Sequence, residues 1–132
     1  MSDDSDVTLG DLVGAWELEW VERETANGPV LARPPQISGI LSYTPDGHMS
    51  VFFIADRQVV GFPFAAYAGT VSFEAGRVVH HVLLGTPPTE AGTTQLRDVD
   101  LDRASGSLTL SGLVGASGNT LKWRRLEGRA EG

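Results

Sequence analysis

Apolar and polar residues alternate along much of this chain. Trp16, Leu18 and Trp20 are separated by Glu17 and Glu19, and at a period of two a strand puts the indoles and the leucine on one face and the carboxylates on the other. The segment before it, Thr8 to Val13, opens on a capping-type residue and predicts one short helical turn. Thr25 to Gln36 contains Asn27-Gly28-Pro29 and Pro34-Pro35; it is too rich in proline for a ladder and too long for a tight hairpin, so the pattern predicts a loop that can serve as a lid. Ile37 to Tyr43 and Met49 to Ile54 flank Thr44-Pro45-Asp46-Gly47-His48, where proline suits the first turn position and glycine the left-handed one. If Thr44 faces His48, then Leu41, Tyr43, Met49, Val51 and Phe53 share one face, and Ile40 and Phe52 share the other.

After an irregular stretch from Ala55 to Ala66, Tyr67 to Phe73 and Val78 to Leu84 meet through Ala75-Gly76, which aligns Phe73 with Val78 and Val71 with His80. Thr93 to Leu101, Ser107 to Val114 and Thr120 to Leu126 follow, with turns at Asp102 to Gly106 and Gly115 to Asn119. The expected fold is therefore all-β: eight antiparallel strands closed into an up-and-down barrel, with a short N-terminal helical turn and room for one small ligand.

Composition narrows the function. With 132 residues the chain fits one domain of roughly 100–200 residues, spanning 1–132 with Met1 to Asp6 and Gly128 to Gly132 frayed. The absence of cysteine removes disulfides, thiolate nucleophiles and Cys-based metal sites. A net charge of -7 repels phosphate backbones and anionic membrane faces, so neither nucleic acid nor a membrane is expected as a partner. An acidic first segment and the lack of a long apolar run predict a cytoplasmic protein.

Gly14-Ala15-Trp16 is similar to the Gly-x-Trp that opens the first lipocalin strand. Trp123-Arg124-Arg125 is similar to the closing strand that sets an arginine over that tryptophan. With Tyr43-Thr44-Pro45-Asp46-Gly47-His48-Met49, Ala66-Tyr67-Ala68-Gly69 and Val78-Val79-His80-His81 in this order, the chain from about Leu12 to Leu126 resembles the lipocalin-like domain family of small bacterial and fungal proteins, within the calycin group. The resemblance implies a calyx for a small lipophilic molecule; such barrels include both carriers and cofactor-free isomerases or cyclases.

From strand phase, the inner face collects Trp16, Trp20, Leu41, Tyr43, Met49, Phe53, Tyr67, Val71, Phe73, Val82, Leu108, Leu110 and Trp123. These rings either fill the barrel or line a hollow, and Gly39, Gly69 and Gly112 on the same phase favour a hollow. Four polar residues share that face: His80, Gln95, Arg97 and, near the rim, Glu22. A guanidinium turned inward costs several kcal/mol unless paired, so Arg97 calls for a carboxylate such as Glu22, for water, or for an anionic or carbonyl-bearing ligand. Alternatively, a bulge shifts the phase and Arg97 reaches solvent.

The candidate ligand-binding set is thus Trp16, Trp20, Tyr43, Met49, Phe53, Tyr67, His80, Gln95, Arg97 and Trp123. A buried imidazole titrates near neutral pH, so His80, with Tyr67 beside it, is the candidate acid or base toward a bound carbonyl or enol. The alternative is a core histidine bonded to Tyr67 or Gln95. Adjacent His80 and His81 point to opposite faces, and no metal-ligand spacing occurs, so neither metal nor cofactor is expected. Asp98, Asp100 and Asp102 line a solvated outer face, and Arg125 is expected to stack over Trp16 on closure. The residues after Leu126 leave no length for the C-terminal helix of classical lipocalins. Ile40, Phe52 and Ile54 therefore form an outer patch, open to a homodimer contact or to cover by the Ala55 to Ala66 segment. The two functions these residues allow are capture of an apolar or amphipathic small molecule, and cofactor-free isomerisation or cyclisation of a polyketide-like substrate held in the same cavity.

Overall fold

The alternating segments pair edge to edge in the computed structural model, which describes residues 7–55, 65–74, 76–86, 92–114 and 117–126. In chain order the elements are a helical turn α1 (Leu9–Leu12), then β1 (Gly14–Thr25), β2 (Gly28–Ala32), β3 (Ile37–Tyr43), β4 (His48–Ala55), β5 (Ala65–Glu74), β6 (Arg77–Thr86), β7 (Thr94–Asp102), β8 (Ser107–Val114) and β9 (Ser117–Arg125). Consecutive strands from β3 to β9 pair antiparallel, and β1 pairs with both β3 and β9, so the sheet closes on itself. β2 and β3 use the same edge of β1: Val21 to Thr25 faces Ala32 to Gly28, and Gly14 to Glu17 faces Tyr43 to Ile40. They share one position in the wall, which makes the barrel eight-stranded.

This corrects the expected loop over Thr25 to Gln36. Its first half is strand β2, and Pro29 is tolerated there because β2 is bonded on one side only, toward β1, where a missing N–H breaks no second ladder. The last turn is also shorter than expected, since Gly118 and Asn119 already pair with Leu113 and Gly112. The other hairpins have the expected register: Tyr43 faces Met49, Phe73 faces Val78, and Val71 faces His80. The expected frayed ends, and most of the Ala55 to Ala66 stretch, lie outside the described residues.

Burial follows the pleat. On β3 and β4, Ile37, Leu41, Tyr43, Met49, Val51 and Phe53 are buried, while Ile40 and Phe52, directly opposite one another, are 41% and 48% exposed on the outer face. Two bulges interrupt the alternation. At the first, Leu18 faces Trp123 but Trp20 faces Lys122, leaving Glu19 as the extra residue; at the second, Ala68 faces Leu84 but Gly69 faces Val82.

One region of the barrel is sealed by α1. The Thr8 backbone N–H donates to the Asp11 carboxylate at 2.9 Å, fixing the start of the turn, and Leu12 joins the buried cluster. The Trp16 indole donates to the Leu12 carbonyl at 2.9 Å. The Arg125 guanidinium lies 4.2 Å from the centre of the Trp16 ring and donates to the Val13 and Asp11 carbonyls at 2.8 and 2.5 Å. The cation thus satisfies carbonyls that the end of a helical turn leaves without partners. Gly14 is required there: it has φ +124°, and a Cβ would sit 3.1 Å from the Arg125 Nη1.

Candidate functional site

Three inward side chains meet at His80, which is 2% exposed and sits opposite Val71 and Gln95 in the ladders. The Tyr43 hydroxyl lies 2.7 Å from its Nε2 and the Tyr67 hydroxyl 2.9 Å from its Nδ1. Burial, then the nearby Arg97 and His81 charges, push the imidazole pKa down to about 3. The ring is therefore neutral and carries one N–H. Tyr43 is buried, and burial also holds its hydroxyl protonated well above the ordinary range.

The direction of the hydrogen bonds follows from satisfaction. If Tyr43 accepted from His80, its own buried O–H would need another acceptor, whereas Tyr43 donating to Nε2 leaves no orphan. His80 then donates from Nδ1 to the Tyr67 oxygen, and half-buried Tyr67 directs its own O–H away from the imidazole. The expected near-neutral titration of His80 is overturned, because desolvation without an acid partner disfavours the imidazolium.

A second group forms on β7. Arg97 donates from Nη1 to the Leu96 carbonyl at 2.9 Å and from Nη2 to the Gln95 Oε1 at 3.1 Å. It faces Val78 in the ladder, and its guanidinium fills the place of a side chain at Gly112, with Nη1 3.1 Å from where a Cβ would be. None of the ion pairs among the described residues includes Arg97.

The expected partner, Glu22, is on the other side of the wall. The bulge at Glu19 reverses the phase of β1, so Val21 faces Leu121 and Ala32 inside, while Glu22 faces Thr120 and Leu31 outside. The same reversal takes Trp20 out of the lining, opposite Lys122. Both expectations fail for one reason: a strand with an extra residue no longer keeps strict alternation.

The remaining candidates are inside. Trp16 and Met49 belong to the buried cluster, and Phe53 packs on Trp123 with ring centroids 5.7 Å apart. The glycines argued for a hollow do something else. A Cβ at Gly39 would lie 2.9 Å from the Phe53 ring, the space at Gly112 is taken by Arg97, and Gly69 is pressed against the His81 backbone at the second bulge. Each makes room for a neighbour. Among the inward positions, Tyr67, Phe73, Gln95, Arg97 and Leu121 stay partly exposed.

Asn119 and Arg23 were missed. Asn119 is 8% exposed, with its Oδ1 unpartnered, and sits between Gly112 and Arg23 in the ladders. Its signal was present in the alternation of Asn119, Leu121 and Trp123. Arg23 faces inward only because of the bulge, which no periodicity reveals. Trp123 adds a second orphan, an indole N–H that is buried with no acceptor among the described residues.

No family model and no curated protein matches the chain. Among solved structures it is similar to one described as a redesigned beta barrel, at 15% identity and TM-score 0.49, over 96% of this chain and 98% of that one. No helix among the described residues is long and apolar enough to cross a membrane.

Proposed function

We propose that the protein binds a small amphipathic molecule inside the barrel, as the lipocalin-like resemblance implies. The observation that carries this reading is the set of inward side chains, Tyr67, Phe73, Gln95, Arg97 and Leu121, that remain partly accessible next to a fully buried cluster. Apolar and aromatic surface with a few convergent polar groups is the ordinary composition of a small-molecule site. The hydrogen-bonded Tyr43–His80–Tyr67 set supports it by holding polar groups in fixed positions on the inward face.

Cofactor-free isomerisation or cyclisation is the second reading that the lipocalin-like resemblance allows. His80 contributes position and not proton transfer. A histidine with a pKa of about 3 is too weak a base at neutral pH and is almost never protonated to act as an acid.

Uptake of N-phenyl-1-naphthylamine, an uncharged dye whose emission rises in apolar surroundings, tests the binding reading. Saturable uptake by the wild type and its loss in Leu121→Trp, with circular dichroism unchanged, is the expected result. No uptake by the folded wild type, or uptake indifferent to Leu121→Trp, overturns it.

A further inference from the structure

The charges of this protein are sorted across the barrel wall. Glu17, Glu22 and Glu24 on β1 and Asp98, Asp100 and Asp102 on β7 fall on the outward phase, and the described inward positions carry no carboxylate. The inward positions carry cations instead. Arg97 projects from β7 over Gly112, and Arg23 follows on β1, opposite Asn119. The strip Gly112–Asn119–Arg23 crosses three neighbouring strands, so the two guanidinium-bearing ends lie roughly 10 Å apart, two interstrand spacings.

Hydrogen-bonding capacity is sorted in the same sense. Among the described residues, Arg97 uses neutral acceptors for two of its five N–H groups, the Arg23 side chain makes no hydrogen bond or ion pair, and the Trp123 N–H has no acceptor. Asn119 presents a donor end and an acceptor end. The interior therefore holds a surplus of donors and of positive charge in a chain with seventeen acidic and ten basic residues. A partly buried guanidinium without a counter-charge is unfavourable unless a guest supplies one.

We infer that the molecule bound in the barrel is an amphipathic anion: an apolar body against Phe53, Phe73 and Leu121, and a carboxylate headgroup between Arg97 and Arg23, with Asn119 beneath it. This rests on the binding function proposed above and names its ligand class. A neutral guest satisfies hydrogen bonds but leaves both cations uncompensated. A cationic guest adds a third like charge.

The test is displacement of N-phenyl-1-naphthylamine by decanoate and by decan-1-ol at about pH 8. The two competitors share a chain length and differ in the headgroup. Without an interior cation the alcohol binds better, because the carboxylate must shed more water. The wild type is expected to release the dye at decanoate concentrations roughly tenfold or more below those of decanol, the scale of one charge-assisted hydrogen bond. In Arg97→Met this order reverses, and Arg97→Lys, which keeps the charge, retains the preference. Arg23→Met, expected to weaken decanoate alone, decides the matter if Arg97→Met does not fold. Equal displacement by acid and alcohol in the wild type overturns the anion, and a preference that survives both methionine variants overturns the headgroup site at Arg97 and Arg23; both leave the binding function intact. Failure of the dye to bind at all overturns the binding function itself.

Discussion

Trp16 and Arg97 both project from barrel strands toward the interior, and their surroundings treat them in opposite ways. Around Trp16 every group is answered: the indole N–H has the Leu12 carbonyl, the ring face has Arg125, and Arg125 has two carbonyls of its own. Around Arg97 the count is left open, with neutral oxygens for a cation and an unpartnered amide oxygen on the same strip. The region around Trp16 closes its own hydrogen bonds, and the region around Arg97 keeps capacity unspent, which is the property the proposed binding function calls for.

The comparison is broken most directly at Trp16. Trp16→Ala removes a fully buried ring and the platform for Arg125, and should cost about 3–5 kcal/mol of unfolding free energy in a denaturant titration; a loss under about 1 kcal/mol would mean the sealed region is not the foundation of the barrel. Next in size is the acid sensitivity of His80. Its folded-state pKa of about 3 lies below the ordinary imidazole value of 6.5, so the unfolded chain binds a proton that the folded chain refuses. Stability from this group is complete above about pH 6.5 and falls as the pH drops toward 3, by on the order of 1 kcal/mol per unit. Thermal melts between pH 6.5 and 4.5, before ordinary carboxylates titrate, should show a slope that His80→Gln flattens.

Arg125→Ala should cost about 1–2 kcal/mol, through the cation–π contact and the two carbonyls it leaves unanswered. Arg97→Met sharpens the contrast by its sign: removing an uncompensated cation should leave the ligand-free protein as stable as before, or raise stability by up to about 1 kcal/mol. A melting temperature that drops by as much as in Arg125→Ala would place Arg97 among the residues that hold the fold.

How much of this was legible in the sequence depends on the strand. Between Ile37 and Ile54 the turn Thr44-Pro45-Asp46-Gly47 sets the register, and every buried and exposed position follows from it. The pairing of Phe73 with Val78 was equally open to reading, and it carried His80, Gln95 and Arg97 to the inner face. β1 was legible only as far as Leu18. One extra residue at Glu19 inverts the rest of the strand, and the inversion depends on pairing with β9, which local pattern does not contain. The glycines misled for a related reason: a missing side chain shows where something fits, and only the neighbouring strand tells whether that is a guest or Phe53. The low basicity of His80 depends on burial and on Arg97, neither of which its own sequence neighbourhood displays.

The single-residue insertion in β1 also has a consequence on the scale of mutation. Deleting the Glu19 codon would restore strict alternation and leave Val21 and Arg23 facing inward, because Trp20 already pairs with the residue next to the partner of Leu18. Loss of Val21 instead would set Glu22 and Glu24 in the inward places of Val21 and Arg23, exchanging a cation for acids while touching no residue of the sealed region, so the polarity of that face is open to revision by one length change while the architecture around it stays fixed.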